Sequence, residues 1–386
     1  MDDVPAGPAS PEPRRPSLSV VVPVRNGGFD FERCLRGLRE STWTDYELIV
    51  VDDGSFDHSG PLAQNQGATV LRHERPLGPA AARNRGALIA SAPLIFFLDA
   101  DVVVHRDAIR RGVERFLDDP GLTALFGSYD DHPAAPGLVS QFRNLLHHHV
   151  HQQGEFVRGV RPVRTFWTGC GMIRRSAFLD FGGFDPQLYR RPAIEDIELG
   201  YRLTRAGHRI VLARDVLATH LKRWTLLEMI RTDLFRRGVP WMLLLQRTGT
   251  VETDLNVSPV QKICVAITGL MWLMLGAVPW VPALLGPLAA GSAAVIWLNR
   301  DFYRLLARRG GVVLCVGSVL LHHLYFTCCG LSVVFAVAYW KLSRWAVRAA
   351  WPIAAPRRLD PGKAPIPRPL LARFARRVTQ WTGRPR

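Results

Sequence analysis

Short apolar runs alternate with amphipathic segments over the first hundred residues of the chain. The runs are rich in β-branched and aromatic residues, which is typical of buried strands. Between them, Phe31, Leu35 and Leu38 share one helical face, and Pro79 opens an alanine-rich helix at its favoured first position. The predicted strands are 17–23, 46–51, 68–71 and 93–98, with helices at 30–40 and 79–91. This alternation predicts an α/β fold with a largely parallel, doubly wound sheet.

Two acidic pairs follow predicted strands. Asp52 and Asp53 end the run 46–51, and Asp99 and Asp101 follow the run 93–98. Because parallel strands end at one edge of a sheet, both pairs are expected at the ligand-binding edge. Carboxylates hold Mg²⁺ or Mn²⁺, whose remaining positions are filled by phosphate oxygens and water. The pattern favours a cation with a diphosphate ligand, although an isolated DXD motif also fits a solvated turn.

Eight short segments, in this order, resemble the family 2 glycosyltransferases of the GT-A fold. They are VVPVR (21–25), VDDGS (51–55), AAARNRG (80–86), FLDAD (97–101), WTGCGM (167–172), GGFD (182–185), IEDIELGYR (194–202) and HLKRW (220–224). The resemblance covers roughly residues 17–225. It implies a catalytic domain over 17–224 that transfers a sugar from a nucleotide sugar with Mg²⁺ or Mn²⁺ and inverts the anomeric centre.

The resemblance also implies roles for individual residues. The residues implied to bind the donor are Pro23, Arg25, Asp52, Asp53, Arg83 and Asp99. Those implied to bind the metal are Asp101 and His220. Those implied to contact the acceptor or the diphosphate are Trp167, Gly169, Glu195, Arg223 and Trp224. Asp196 is implied to be the catalytic base.

The chemistry of these residues suits the implied roles. Asp52 and Asp53 can accept hydrogen bonds from a nucleobase NH or a ribose hydroxyl. Arg83 lies about one turn into a helix, where its charge and the helix dipole can face phosphates, although a solvated surface arginine is an alternative. Asp196 precedes a helical pattern, so the positive end of the dipole is expected to favour the ionised form that a base needs. For Glu195, stabilisation of the helix N-terminus by its negative charge is a sufficient explanation.

The segment 220–224 departs from the QxxRW signature of membrane-bound synthases, because His220 stands in place of glutamine. An imidazole can complete a metal shell beside Asp101, or it can simply pack. Arg223 could neutralise the departing diphosphate and Trp224 could line the acceptor site. Trp167 offers a flat face for a sugar ring, although core packing explains it equally well.

Two uncharged stretches follow the catalytic domain. Residues 263–298 contain no Asp, Glu, Lys or Arg and would extend roughly 54 Å as one helix, against a bilayer core of about 30 Å. We therefore expect a hairpin of two spans that turns near Pro279 and Pro282. The stretch 310–340 is long for one span and short for two. His322 and His323 near its middle make it a candidate re-entrant segment.

The charged segments do not all agree with one orientation of the chain in a membrane. The arginine-rich loop 299–309 and the basic tail 341–386 both favour the cytoplasm, yet a single third span would export the tail. Residues 1–16 form a proline-rich, disordered lead without a secretory signal, so the catalytic domain is expected to be cytoplasmic and the protein a multi-pass protein of the inner cell membrane. The region 225–250 has the composition of a basic interfacial helix, or of a helix packed on the domain.

Composition narrows the range of partners. The formal net charge is +16, but arginines crowd around the apolar segments, which favours anionic lipid over nucleic acid. Six cysteines without paired spacing argue against a zinc module or disulfide scaffold, and His147 to His151 fit a helix better than a metal site. The expected function is transfer from a UDP- or GDP-linked sugar to a lipid or lipid-linked acceptor. A processive polysaccharide synthase, a nucleotidyltransferase and a catalytically silent membrane scaffold are the alternatives.

Overall fold

The computed structural model describes residues 16–249 and 255–350, apart from the side chains of residues 256 and 343–350. The expected N-terminal lead (1–16), apart from residue 16, and residues 351–386 of the expected basic tail (341–386) therefore lie outside the described residues.

Nine strands form one sheet in the described part of the chain. They are β1 Leu18–Val24, β2 Tyr46–Asp52, β3 Thr69–Arg72, β4 Leu94–Leu98, β5 Val102–Val104, β6 Leu122–Tyr129, β7 Val160–Val163, β8 Cys170–Arg174 and β9 Arg209–His220. The order is β3-β2-β1-β4-β8-β6-β9-β5, and β7 pairs with β9. The strands β1 to β4 are parallel, which confirms the predicted fold class.

The later strands make the sheet mixed. β8 is antiparallel to both β4 and β6, and β5 and β7 are antiparallel to β9. Since β8 runs against β4, its first residue, Cys170, pairs with Leu98, the last residue of β4. The antiparallel pairing therefore brings the WTGCGM segment to the edge where the DXD motif emerges.

Helices cover both faces of the sheet. They are α1 Gly28–Arg39, α2 Ser59–Asn65, α3 Pro79–Ile89, α4 Ala108–Asp118, α5 Leu138–Gln152, α6 Arg175–Asp180 and α7 Glu195–Arg205. The helix α3 packs so closely on β1 that a Cβ added to Gly86 would lie 2.4 Å from Val21 Cγ1. Alternate strand residues separate two apolar layers: Val20 and Phe96 lie in one, and Val21 and Phe97 in the other.

The C-terminal part is helical and continues the second layer. α8 Leu226–Arg231, a π-helix Thr232–Gly238 and α9 Val239–Thr248 form one segment, followed by α10 Pro259–Ala277, a 3₁₀ turn Pro282–Leu284, α11 Leu285–Leu298 and α12 Arg300–Ala350. The break between α10 and α11 falls where the prolines predicted a turn. Phe302 and Phe326 of α12 join the same core as Phe142 of α5.

A sharp turn divides α12 into two arms. Gly310 and Gly311 are non-helical, and Gly311 has a positive φ of 64°, so residues 300–309 fold back on the arm that begins at 312. The rings of Phe302 and His322 lie 5.3 Å apart across this fold. By length and composition, Pro259–Ala277 and Arg300–Leu342 are apolar enough to cross a membrane.

Candidate active site

Arg83 connects two motifs that are almost one hundred residues apart. Its Nη2 donates to Asp99 Oδ1 at 2.5 Å, and its Nη1 donates to Glu195 Oε1 at 2.8 Å. The Arg83 and Glu195 side chains are each 5% exposed, whereas Asp99 is 32% exposed. Burial alone would lower the pKa of Arg83, but the charges of Asp99 and Glu195 outweigh it and raise the pKa. The bridge joins the end of β4 to the start of α7.

Asp101 and His220 meet where β5 pairs with the end of β9. His220 Nε2 lies 3.6 Å from Asp101 Oδ2, and the Tyr129 ring stacks on the imidazole at 4.3 Å. His220 Nδ1 lies 2.7 Å from Asn144 Oδ1, and the Asn144 amide nitrogen donates to the Lys222 carbonyl at 3.5 Å. With an amide oxygen as its partner, Nδ1 donates this hydrogen bond, and Nε2 faces Asp101.

This pair fits a divalent cation. A separation of 3.6 Å is too long for a hydrogen bond, but it suits two ligands that are each about 2.1 Å from one ion. The hydrogen bond that Asn144 Oδ1 accepts orients the imidazole as second-shell partners of metal ligands do. Among the described residues, no group of three or more His, Cys, Asp or Glu side chains could hold a metal. A cation at Asp101 and His220 would therefore take its remaining ligands from phosphate oxygens and water.

Asp196 lies at the first turn of α7, beside the WTGCGM segment. Its carboxylate accepts hydrogen bonds from the Thr168 amide at 3.1 Å, the Thr168 hydroxyl at 3.2 Å and the Ile197 amide at 2.8 Å. Burial raises the pKa of Asp196, and these amides with Arg83 offset it only in part. The sequence suggested that the helix dipole would dominate. Burial has the larger effect here and makes the carboxylate a stronger base.

Backbone contacts bring this base to the metal motif. The Asp99 amide donates to the Gly169 carbonyl at 3.4 Å, and Thr168 precedes that glycine. Glu195, next to Asp196, is buried and also accepts a hydrogen bond from the Ala193 amide at 3.0 Å. Burial raises the pKa of Glu195, and Arg83 opposes the rise. Asp99, Glu195 and Asp196 thus belong to one continuous cluster.

Asp52 and Asp53 lie at the expected edge, but other protein groups bind their oxygens. Asp53 accepts from the Leu77 and Gly78 amides, both at 2.8 Å, and lies 2.7 Å from His73 Nδ1. Asp52 is fully buried, bonded to the Ser55 amide at 2.8 Å and Arg72 Nη1 at 2.6 Å. These carboxylates hold the loops after β2 and before α3 in place. Their donor-binding role remains a prediction.

The remaining donor residues lie at the same edge. Pro23 is half-buried near the end of β1, and Arg25 is exposed just beyond it. Their donor-binding roles also remain predictions.

Trp167 belongs to an aromatic cluster next to Asp101 and His220, and Gly169 lies against its ring. Trp167 is half-buried, with Tyr129 at 4.8 Å, His147 at 4.9 Å and His151 at 5.2 Å between ring centroids. A Cβ added to Gly169 would lie 2.3 Å from Trp167 Cζ2, so this glycine makes room for the indole. Burial lowers the pKa of His151 to about 3, so that ring is neutral at neutral pH.

Cys170 is also buried. Burial raises the pKa of its thiol to about 12, in keeping with a packing residue and not a nucleophile.

The segment after β9 contributes positive charge. Arg223 is exposed, and the Trp224 ring lies 4.4 Å from Lys222 Nζ and 5.6 Å from the Arg143 guanidinium. The Trp224 amide donates to Ser140 Oγ at 2.9 Å, and this hydrogen bond holds the segment against α5.

Arg237 is a candidate site residue that motif analysis missed. It lies in the π-helix, where the Val239 amide bonds the Leu234 carbonyl five residues back. Pro240, which has no amide proton, disfavours regular α-helical bonding at this point. Arg237 is half-buried and has no ion-pair partner within the described residues. Its positive charge lowers the pKa of Asp196 and so offsets part of the rise that burial causes. An arginine three residues before a proline, in a segment with the composition of a basic helix, was the signal in the sequence.

Comparisons with known proteins agree with the motifs. Residues 19–182 match the family described as Glycosyl transferase family 2. Pre-mycofactocin glycosyltransferase of Mycobacterium tuberculosis is 30% identical over 248 residues, which cover 62% of this chain and 50% of that protein. An uncharacterized M. tuberculosis protein, MT1568, is 28% identical over 293 residues, covering 71% of this chain and 84% of the relative. The chain thus spans about half the length of the first of these relatives.

Among solved structures, one similar chain is the mannosyltransferase PcManGT from Pyrobaculum calidifontis in complex with GDP-Man and Mn²⁺. It is 16% identical, with a TM-score of 0.44, over 88% of this chain and 89% of that chain.

Proposed function

The chain carries a family 2 glycosyltransferase domain of the GT-A fold, and we propose that it is a metal-dependent, inverting enzyme that transfers a sugar from a nucleotide sugar to a lipid or lipid-linked acceptor. The observation that carries this proposal is the Arg83 bridge. It joins Asp99 of the metal motif to Glu195, the neighbour of the proposed base Asp196.

In the proposed reaction, Asp196 takes the proton from the acceptor hydroxyl. The acceptor oxygen then bonds to the anomeric carbon on the face opposite the nucleotide, and the electron pair of the breaking C–O bond leaves with the nucleoside diphosphate. The configuration at that carbon is therefore inverted. Asp101 and His220 would hold Mg²⁺ or Mn²⁺, which supplies positive charge to the leaving diphosphate. Arg83 balances the negative charges of Glu195 and Asp99 beside the base.

Positive charge near Asp101 and the proposed base Asp196 supports an anionic acceptor. Lys222, Arg223 and Arg237 belong to the segment between β9 and α9, and Arg237 has no ion-pair partner among the described residues. An arginine in this state is suited to bind a phosphate group. A phosphate-bearing lipid would supply both that group and the apolar tail that the neighbouring helices can accommodate.

The C-terminal helices support attachment to a membrane, and we propose that this is the inner cell membrane, with the catalytic domain in the cytoplasm. The helix α10 leaves Trp272 and Leu273 54% and 74% exposed, and Trp280 beyond it is 80% exposed. Large exposed apolar side chains on adjoining helices are typical of a lipid-facing surface. No described feature specifically favours the synthase, nucleotidyltransferase or scaffold alternatives.

Donor hydrolysis and transfer by the purified full chain test the proposal. A panel of UDP- and GDP-sugars is assayed with Mg²⁺ or Mn²⁺, with and without membrane lipid extract. We expect one donor to be turned over in a cation-dependent way. Asp196→Asn should lose about 10²- to 10⁴-fold in rate, whereas Asp180→Asn, an exposed carboxylate on the same domain, should not. Inert donors under all conditions, or an active Asp196→Asn protein, would contradict it.

A further inference from the structure

The second arm of α12 has an uncovered apolar face. Val312, Val316 and Leu320 are 76%, 64% and 78% exposed and follow one another at intervals of four. The stripe continues on the same helical face through Leu331, Phe335 and Leu342, with exposed fractions of 40%, 45% and 65%. Residues four, seven or eleven apart lie on one side of a helix. The arm therefore presents an apolar stripe in two exposed parts, 312–320 and 331–342, and between them Thr327 on the same face bonds to Trp272 of α10.

The opposite face of this arm packs on the catalytic domain. A Cβ added to Gly317 would lie 2.9 Å from Leu138 of α5, and one added to Gly238 of the π-helix would lie 2.0 Å from Ser332 Oγ. The rings of His322 and Phe142 are 5.8 Å apart. These contacts extend over fifteen residues, about 22 Å of helix.

The elements beneath the arm belong to the site. Asn144 of α5 bonds to His220, and Arg143 of α5 bonds to Asp233 of the π-helix at 2.6 Å, with exposures of 8% and 4%. A charged pair of this kind is costly at the level of the hydrocarbon core. The domain surface that carries it is therefore expected to lie outside the core, and so are residues 317–332.

Too little uncharged helix remains to span a bilayer. Residues 333–350 would add about 27 Å, but Lys341, Arg344 and Arg348 lie in the second half of this segment, and the uncharged part 333–340 adds only about 12 Å against a core of about 30 Å. The first arm is also tied to the domain, since Arg309 Nε donates to Asp131 at 2.9 Å.

We propose that the second arm of α12 does not cross the membrane but lies along the catalytic domain, with its apolar stripe in the adjoining leaflet. This inference rests on the membrane attachment proposed above. Lipid is the occupant favoured by the uncharged stretch 310–340, by the basic residues at both of its ends, and by continuity with α10, whose Trp272 bonds to Thr327 at 2.8 Å. Lys341 then remains on the same side as the domain, which removes the charge conflict in the sequence.

Depth measurement tests this placement on the full chain. Val316→Cys and Phe335→Cys lie nineteen residues apart, about 28 Å along the helix. Each is labelled with an environment-sensitive fluorophore in reconstituted vesicles and quenched by lipids that carry quenchers at graded depths, with the wild-type protein as the labelling blank. Equal, shallow depths are expected. Depths that differ by more than about half the core would show a crossing helix and overturn the proposal.

Labelling from each side of the membrane gives an independent readout. Lys341→Cys and the exposed control Ser176→Cys on α6 are treated with an impermeant maleimide in intact and in opened cells. Both should react only after opening, and labelling of Lys341→Cys in intact cells would overturn the inference. If both fluorophores escape lipid quenching and residue 316 crosslinks between chains, the stripe is a dimer interface instead. Loss of donor turnover alone would count against the proposed function and leave this placement untouched.

Discussion

Replacement of Arg83 by methionine should destabilise the catalytic domain through charge and not through volume. The change keeps an extended side chain but removes the guanidinium from between two carboxylates. Glu195, 5% exposed, is left as a buried charge without its partner, whereas solvent can compensate part of Asp99, which is 32% exposed. Breaking a buried pair costs about 3–5 kcal/mol. For a domain of this size, that corresponds to a Tm lower by roughly 6–20 °C.

Thermal unfolding of the detergent-solubilised chain, followed by circular dichroism, measures this effect. The series is wild type, Arg83→Met, Arg83→Met with Glu195→Gln, and the control Arg85→Met. The Arg85 guanidinium donates to the carbonyl of Arg72, an exposed residue. We expect the double variant to recover most of the lost Tm, because the uncompensated charge is gone. The control should change stability by no more than about 0.5–1 kcal/mol.

The pH dependence has a definite sign. Arg83 favours the ionised carboxylates, so its removal raises the pKa of Glu195 further above the usual carboxyl range. Protonation as the pH falls from 7 to 5 then neutralises the unpaired charge, and the deficit relative to wild type should narrow. An equal deficit at both pH values, without rescue by Glu195→Gln, would mean that lost packing causes the effect and would refute the electrostatic reasoning.

Three further predictions concern catalysis. Because burial raises the pKa of Asp196, kcat/KM should fall on the acid side with an inflection above the ordinary pKa of an aspartate, and a rate that stays independent of pH down to that ordinary value would argue against Asp196 as the base. Asn144→Ala should raise the Mn²⁺ concentration for half-maximal activity by about 10- to 100-fold, and His220→Ala by more; no change in either would remove the metal role of His220. Arg237→Gln should raise KM for a phosphate-bearing acceptor about 10- to 100-fold, whereas Arg236→Gln, its exposed neighbour, should leave KM unchanged, and equal effects would indicate general surface charge.

The sequence identified the elements that carry a periodic, local signal. β1, β2, β3 and β4, with α1 and α3, begin and end within a few residues of their predicted positions, because strand and helix periodicity and the proline at position 79 act over a few residues. The same holds for the break between α10 and α11. The short helix α2 was not predicted, since Ser59–Asn65 is too polar and brief to give a hydrophobic pattern.

The tertiary structure decided which of these residues meet. Arg83 and Glu195 are 112 positions apart in sequence and bonded in space, because the antiparallel β8 brings its first residues to the end of β4. Asn144 and Arg237 carry no motif and reach the site only through the packing of α5 and the π-helix. Sequence patterns record what each segment buries, whereas contacts between distant segments depend on chain direction and register, which no local pattern contains.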